Sequence, residues 1–196
     1  MNLRSDLSEQ LRRLSQQSYL LAHSTVLLGR LGALEISNGL AESVDALCTD
    51  GVPVSEDSVV VSEAHVKLLL KEQNQFVTDV LLVEMQALLH THLMLASNHP
   101  LDERAIQIEA LLNGLWPAQA RGDHAWAYRE VVLLTEVRNA VMHTRGKLEL
   151  PNQRLLDAGW TQEELVGERR LTTRSFSDFL RFKRAVRTVA NEALPT

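Results

Sequence analysis

The sequence predicts an all-helical fold, a bundle with two long and several shorter helices, and three observations carry that prediction. Apolar residues recur at three- and four-residue steps over long stretches. Glycine and proline are scarce, at 9 and 5 of 196 residues. Apolar residues make up 45% and charged residues 23%, the profile of a soluble globular chain able to bury a core. One domain over residues 1–196 is expected, with a long-helix part at 1–120 and a motif helix, loop and closing helix at 121–196.

Leu3, Leu7, Leu11, Leu14, Leu21 and Leu28 mark a first amphipathic helix, with Arg12, Arg13, Gln16 and Gln17 between them. A further apolar series through Leu31, Leu34, Leu40, Val44 and Leu47 is interrupted by Gly29, Gly32 and Gly39, where the helix bends or restarts. Residues 49–58, T-D-G-V-P-V-S-E-D-S, read as a loop. Ser62 is the expected N-cap of a second long helix running to about Ser97, with Val66, Leu69, Leu70, Val77, Val80, Leu81, Leu88 and Leu95 on its apolar face. The S-N-H-P at 97–100 ends it. A short helix follows from about Asp102 to Leu115, then a turn marked by Pro117 and Gly122. The next helix runs from near Asp123, its expected cap, to about Thr144. Residues 145–174 carry glycines and short apolar pieces, an irregular or hairpin excursion. The last helix, Ser175 to Leu194, is marked by Phe176, Phe179, Leu180, Phe182, Val186, Val189 and Ala190.

The first thirteen residues mix charge signs and lack an apolar export core, so a cytoplasmic protein is expected. The apolar stretch from Lys67 to Leu95 is broken by Lys71, Glu72, Asp79, Glu84 and histidines, and no membrane role is expected. Cys48 is the only cysteine, which excludes an intrachain disulfide and a cysteine-based metal cluster. The net charge of −5 conceals an asymmetry. Residues 1–120 hold 7 basic and 15 acidic side chains, whereas residues 121–196 hold 13 basic and 10 acidic, so the C-terminal part is the one that attracts phosphate.

The chemistry gathers in T-E-V-R-N-A-V-M-H-T-R-G-K-L, residues 135–148. On a helix, Val132, Glu136, Asn139 and His143 share one stripe beside an apolar face of Leu133, Leu134, Val137, Ala140 and Val141. Arg138 and His143 diverge by about 140° on one helix, so a single copy makes a poor site. A second copy related by two-fold symmetry brings two histidines and two arginines around one phosphodiester. Such a set suits RNA cleavage. A neutral imidazole takes the proton of the 2′-hydroxyl, an imidazolium gives one to the leaving 5′-oxygen, and arginine stabilises the phosphoryl charge. That chemistry requires no cofactor and no metal.

The stretch R-N-A-V-M-H-T-R-G-K resembles the signature of the HEPN superfamily: an arginine, a polar residue, a short helical spacer and a histidine. The similarity extends through the Gly146 turn, the variable loop with Gly167, Leu171 and Thr172, and the closing helix, covering roughly residues 123–194. Members of that superfamily are helical, commonly dimeric, and many are metal-independent endoribonucleases acting as toxins or in antiphage defence. Carried over, the resemblance implies Arg138 and His143 as catalytic residues and Asn139 as the polar residue that shapes the site. It also implies RNA, a second copy of the chain, and an antitoxin or defence-system partner protein as partners. Thr144 stands where relatives often have asparagine, which bears on the local turn. Glu136 is added from its stripe: it orients His143 through Asn139, holds Arg138, or is a solvated helix glutamate. Arg145 and Lys147 either bind RNA phosphates or are solvated loop charges. The other function consistent with this reading is a catalytically inactive HEPN module for dimerisation, RNA binding or adaptor function.

Other sites carry less. His90, His92 and His99 lack the His-x-x-x-His spacing of a helical zinc site. Trp116, Trp126 and Trp160 offer stacking surfaces for unpaired bases, but such spacing more often marks core or interface. No glycine-rich phosphate loop, G-x-S-x-G elbow or helix-turn-helix with a basic recognition helix is present, which leaves NTP hydrolysis, esterase chemistry and DNA-binding regulation unsupported.

Overall fold

The computed structural model describes residues 2–28, 63–100, 106–144, 147–148, 152–158, 160, 162–165, 168–171 and 176–196. Six α-helices are described: α1 (Leu3–Leu28), α2 (Glu63–Ala96), α3 (Ile108–Leu115), α4 (Ala125–Thr144), α5 (Gln153–Asp157) and α6 (Phe176–Ala193). Three short strands lie between α4 and α6: β1 (Lys147–Leu148), β2 (Gln162–Leu165) and β3 (Glu168–Leu171). The all-helical architecture is thus as expected, and the excursion contains the hairpin. β2 and β3 pair antiparallel, Gln162 opposite Leu171 and Leu165 opposite Glu168, and β1 adds to the free edge of β3.

Packing divides the chain into two compact units, residues 1–18 with 77–196, and residues 19–76. Both boundaries fall inside long helices, between Ser18 and Tyr19 in α1 and between Phe76 and Val77 in α2. Cys48 and the loop at 49–58 lie outside the described residues, as do Gly29, Gly32 and Gly39. The larger unit holds the described core residues and every site discussed below.

Asn2 caps α1: its Oδ1 accepts from the Ser5 amide at 2.9 Å. Leu3, Leu7, Leu11 and Leu14 then present a buried face, whereas Leu21 is exposed and the side chain of Leu28 lies outside the described residues. In α2 the core face is Leu81, Leu82, Met85, Leu89, Leu93 and Met94. Val80 points outward and Val77 and Leu88 are half-buried, while the side chains of Val66, Leu69 and Leu70 lie outside the described residues. The S-N-H-P stop works through Asn98, which takes φ 55°, a left-handed conformation asparagine tolerates. His99 N then donates to Met94 O (3.0 Å) and Asn98 N to Leu95 O (3.2 Å), the paired bonds of a Schellman cap.

α3 is shorter than expected: Gln107 is extended and Ile106 lies outside the helix, 101–105 lie outside the described residues, and the helix buries Ile108, Leu111 and Leu112. Two single 3-10 turns, Ala118–Ala120 and Gly122–His124, lead into α4, so Asp123 sits inside a turn instead of capping the helix. Arg121 staples this connection. Its guanidinium lies 3.6 Å from the Tyr128 ring centroid while Nε donates to Trp116 O at 3.1 Å. Trp116 and Trp160 are core residues, and Trp126 is half-buried under Arg184, so the three tryptophans are packing residues in this fold.

α6 supplies the largest completely buried side chains among the described residues, Phe179 and Phe182, together with Ala185, Val186, Val189 and Ala190. Leu180 turns outward. Trp160 stacks on Phe182, with centroids 6.3 Å apart, which attaches the excursion to the core. Arg181 pairs with Glu130 of α4 at 2.7 Å. None of the described helices is long and apolar enough to cross a membrane. Phe182→Ala is expected to lower unfolding free energy by about 3–5 kcal/mol, the cost of an aromatic-sized cavity, read from the urea midpoint at unchanged slope.

Candidate functional site

Helix α4 has two faces that differ in kind. Ala127, Val131, Leu134 and Val137 are fully buried. One step around the helix, Thr135, Glu136, Arg138 and Asn139 line a pocket of about 660 Å³. The opposite wall comes from α2 through Gln86, His90, Thr91 and Met94, and the rims from the start of α3 and from Arg154 of α5. Three of the residues singled out from the sequence therefore share one cavity. The side chain of His143, in the last turn of α4, lies outside the described residues, as does Arg145. Lys147 opens β1, opposite Arg170, but its side chain too lies outside them.

Adjacent helical residues diverge by about 100°, so Arg138 and Asn139 meet only because the arginine stem is long enough to curl back. Arg138 Nη1 donates to Asn139 Oδ1 at 2.9 Å. Arg138 Nε is buried and has no acceptor among the described residues. A buried N–H without an acceptor is costly, and an anionic oxygen entering the pocket would remove that cost.

Glu136 takes a role not foreseen. Its carboxylate accepts from Asn152 Nδ2 at 2.9 Å and from Arg154 Nη1 at 3.2 Å, so its described partners lie on α5 and its cap, and not at Arg138 or Asn139. Asn152 in turn caps α5, its side chain accepting from the Leu155 amide at 3.3 Å. Arg154 also pairs with Glu109, and the two carboxylates, Glu109 foremost, hold its guanidinium above the ordinary arginine pKa. The pocket thus contains two arginines in unlike states: Arg154 is neutralised by two acids, whereas the described partner of Arg138 is an uncharged amide.

His90 is the residue that sequence reasoning undervalued. It lines the same pocket as Arg138, and its Nε2 lies 3.0 Å from Ile106 O. With a carbonyl as acceptor, Nε2 carries the hydrogen and Nδ1 is left for another partner. His90 and His92 are turned apart: His92 is buried, bridging Leu88 O (2.8 Å) and Asp6 Oδ2 (3.0 Å). Among the described residues no three His, Cys, Asp or Glu side chains gather in a way that would hold a metal ion.

No family model, no curated protein and no solved structure matches the chain. The Arg138–Asn139 bond can be tested without reference to function. A double-mutant cycle with Arg138→Ala and Asn139→Ala in urea unfolding should give a coupling of about 1 kcal/mol; strict additivity would show that the bond does not form.

Proposed function

We propose that this chain is an endoribonuclease of HEPN type, cutting RNA by 2′-hydroxyl attack at a site completed by a second copy of the chain. The observation that carries the reading is the state of Arg138. It lines a pocket, it is restrained by Asn139, no carboxylate pairs with it among the described residues, and His143 follows five residues later near the end of the same helix. Arginine presented in this way suits the non-bridging oxygens of a phosphodiester, which it binds through paired donors and without a proton to lose.

In the reaction, the neutral imidazole of one His143 accepts the 2′-hydroxyl proton as that oxygen attacks phosphorus. The P–O5′ bond breaks and the protonated imidazole of the second copy's His143 gives its proton to the departing 5′-oxygen. The products are a 2′,3′-cyclic phosphate and a 5′-hydroxyl, and the total number of protons on the two histidines is unchanged. Arg138 from each copy stabilises the charge that grows on the phosphoryl oxygens. Met142, beside His143, is 53% exposed, an apolar side chain on the motif helix that a symmetric contact would cover. Arg145 and Lys147 follow as phosphate contacts in this reading. Toxin or antiphage-defence action, in the cytoplasm and under control of a partner protein, is the setting in which such an activity is used.

The test compares wild type, Arg138→Ala and His143→Ala for RNA cleavage in the presence of a chelator, with far-UV circular dichroism as the folding control. Each variant should lose at least about 100-fold in rate, and growth arrest on expression should be lost in parallel. Cleavage or growth arrest undiminished in His143→Ala would reject the catalytic reading in favour of a helical module for dimerisation, RNA binding or adaptor function.

A further inference from the structure

A second groove, sharing no lining residue with the Arg138 pocket, runs between the N-terminal half of α1 and the C-terminal half of α6, with a volume of about 530 Å³. Its cations are Arg4 and Arg12 on α1 and Lys183 and Arg187 on α6. The lining also includes the side chains of Asn2, Ser5, Ser8 and Asn191. The spacing makes the geometry. Lys183, Arg187 and Asn191 are four apart and share one face of α6, while Asn2 to Ser15 extends for about 20 Å along α1.

Charge is concentrated here on a chain that is acidic as a whole. Glu9 is the one acid among the described lining residues, and hydrogen bonds from Arg12 and Arg13 hold its carboxyl at about 2, so it stays ionised and offsets a single cation. Arg12 is engaged by that pair. Arg4 gives Nη2 to Leu194 O at 2.9 Å and keeps a buried Nε without an acceptor among the described residues. Lys183 and Arg187 form no ion pair among the described residues, unlike Arg181 on the same helix, which is matched by Glu130. Two uncompensated cations on one helical face, opposite a third with a buried unpaired donor, form a track for an anion that carries several charges in a row. Among the described lining residues Leu11 is the only apolar one and none is aromatic, so they offer a base nothing on which to stack.

We propose that this α1–α6 groove binds the phosphodiester backbone of single-stranded RNA, without reading its bases, as a second contact beyond the Arg138 pocket. The identity of the strand rests on the ribonuclease reading above; the anion track does not.

The probe is a fluorescein-labelled 2′-O-methyl oligouridylate, which keeps the backbone but lacks the attacking hydroxyl, with binding followed by anisotropy over a salt series. In the double variant Lys183→Gln/Arg187→Gln, binding at low salt should weaken about tenfold or more, and the slope of log affinity against log salt should become shallower by about 1.4, two contacts' worth for a single strand. Arg184→Gln removes one charge from α6, half the change in the double variant, at a side chain directed to Trp126, 5.4 Å from its ring centroid, and should leave the slope unchanged. The groove is rejected if wild type does not bind the probe, if the double variant binds as wild type does, or if Arg184→Gln weakens binding equally. Cleavage lost in Arg138→Ala while the double variant keeps full affinity rejects the groove alone. Affinity lost in the double variant while Arg138→Ala and His143→Ala cut normally rejects the catalytic reading alone.

Discussion

Everything proposed for this molecule depends on the rotational setting of α4 about its own axis. Val131, Leu134 and Val137 are completely buried, and α6 is the helix against which α4 packs most extensively. Exposing one such side chain costs about 1.5–3 kcal/mol, so even a modest rotation of the helix is opposed by several times thermal energy. With that face held, the 100° step of the α-helix directs Thr135, Arg138 and Asn139 to the α2 wall, because no other azimuth remains. The site is thus positioned by the core and needs no dedicated loop.

A second layer of restraint comes from the excursion. Glu136, one residue from the core face, reaches out of α4 to Asn152 and Arg154, and Arg154 continues to Glu109 of α3. This chain of ion pairs joins three helices around the pocket rim. It also removes both acids from competition for Arg138. An arginine beside an available carboxylate is a structural ion pair, whereas one beside an amide retains its attraction for phosphate. The arrangement in the pocket is of the second kind, and the α1–α6 groove repeats the principle, with Glu9 occupied by its own arginines and Lys183 and Arg187 without an ion pair among the described residues.

Much of this was legible in the residues because helical periodicity and end signals are local. The bounds of α2 and α6, and the S-N-H-P stop resting on Asn98, all follow from neighbours a few positions apart. The errors have a common physical origin. Periodicity reports which residues are apolar, not how wide a strip the neighbouring helix covers, so Leu21, Val80 and Leu180 were assigned to faces that extend past the contact. Partners separated by long stretches of chain were out of reach. His90 looked like a failed metal ligand until α2 and α4 faced each other across one cavity, and Glu136 looked like part of the motif until α5 arrived with Asn152 and Arg154. The basic balance of residues 121–196 was visible, yet only the packing of α6 beside α1 shows where two of those charges converge with others.

The termini of the cut RNA test the central chemistry most directly, because they record which oxygen attacked phosphorus. Mass spectrometry of fragments made from a short defined RNA by the purified wild-type chain should find a 2′,3′-cyclic phosphate on one side of each cut and a 5′-hydroxyl on the other. Fragments ending in a 3′-hydroxyl and a 5′-phosphate would mean that water, not the neighbouring ribose, was the nucleophile, and the roles given to His143 and Arg138 would be contradicted.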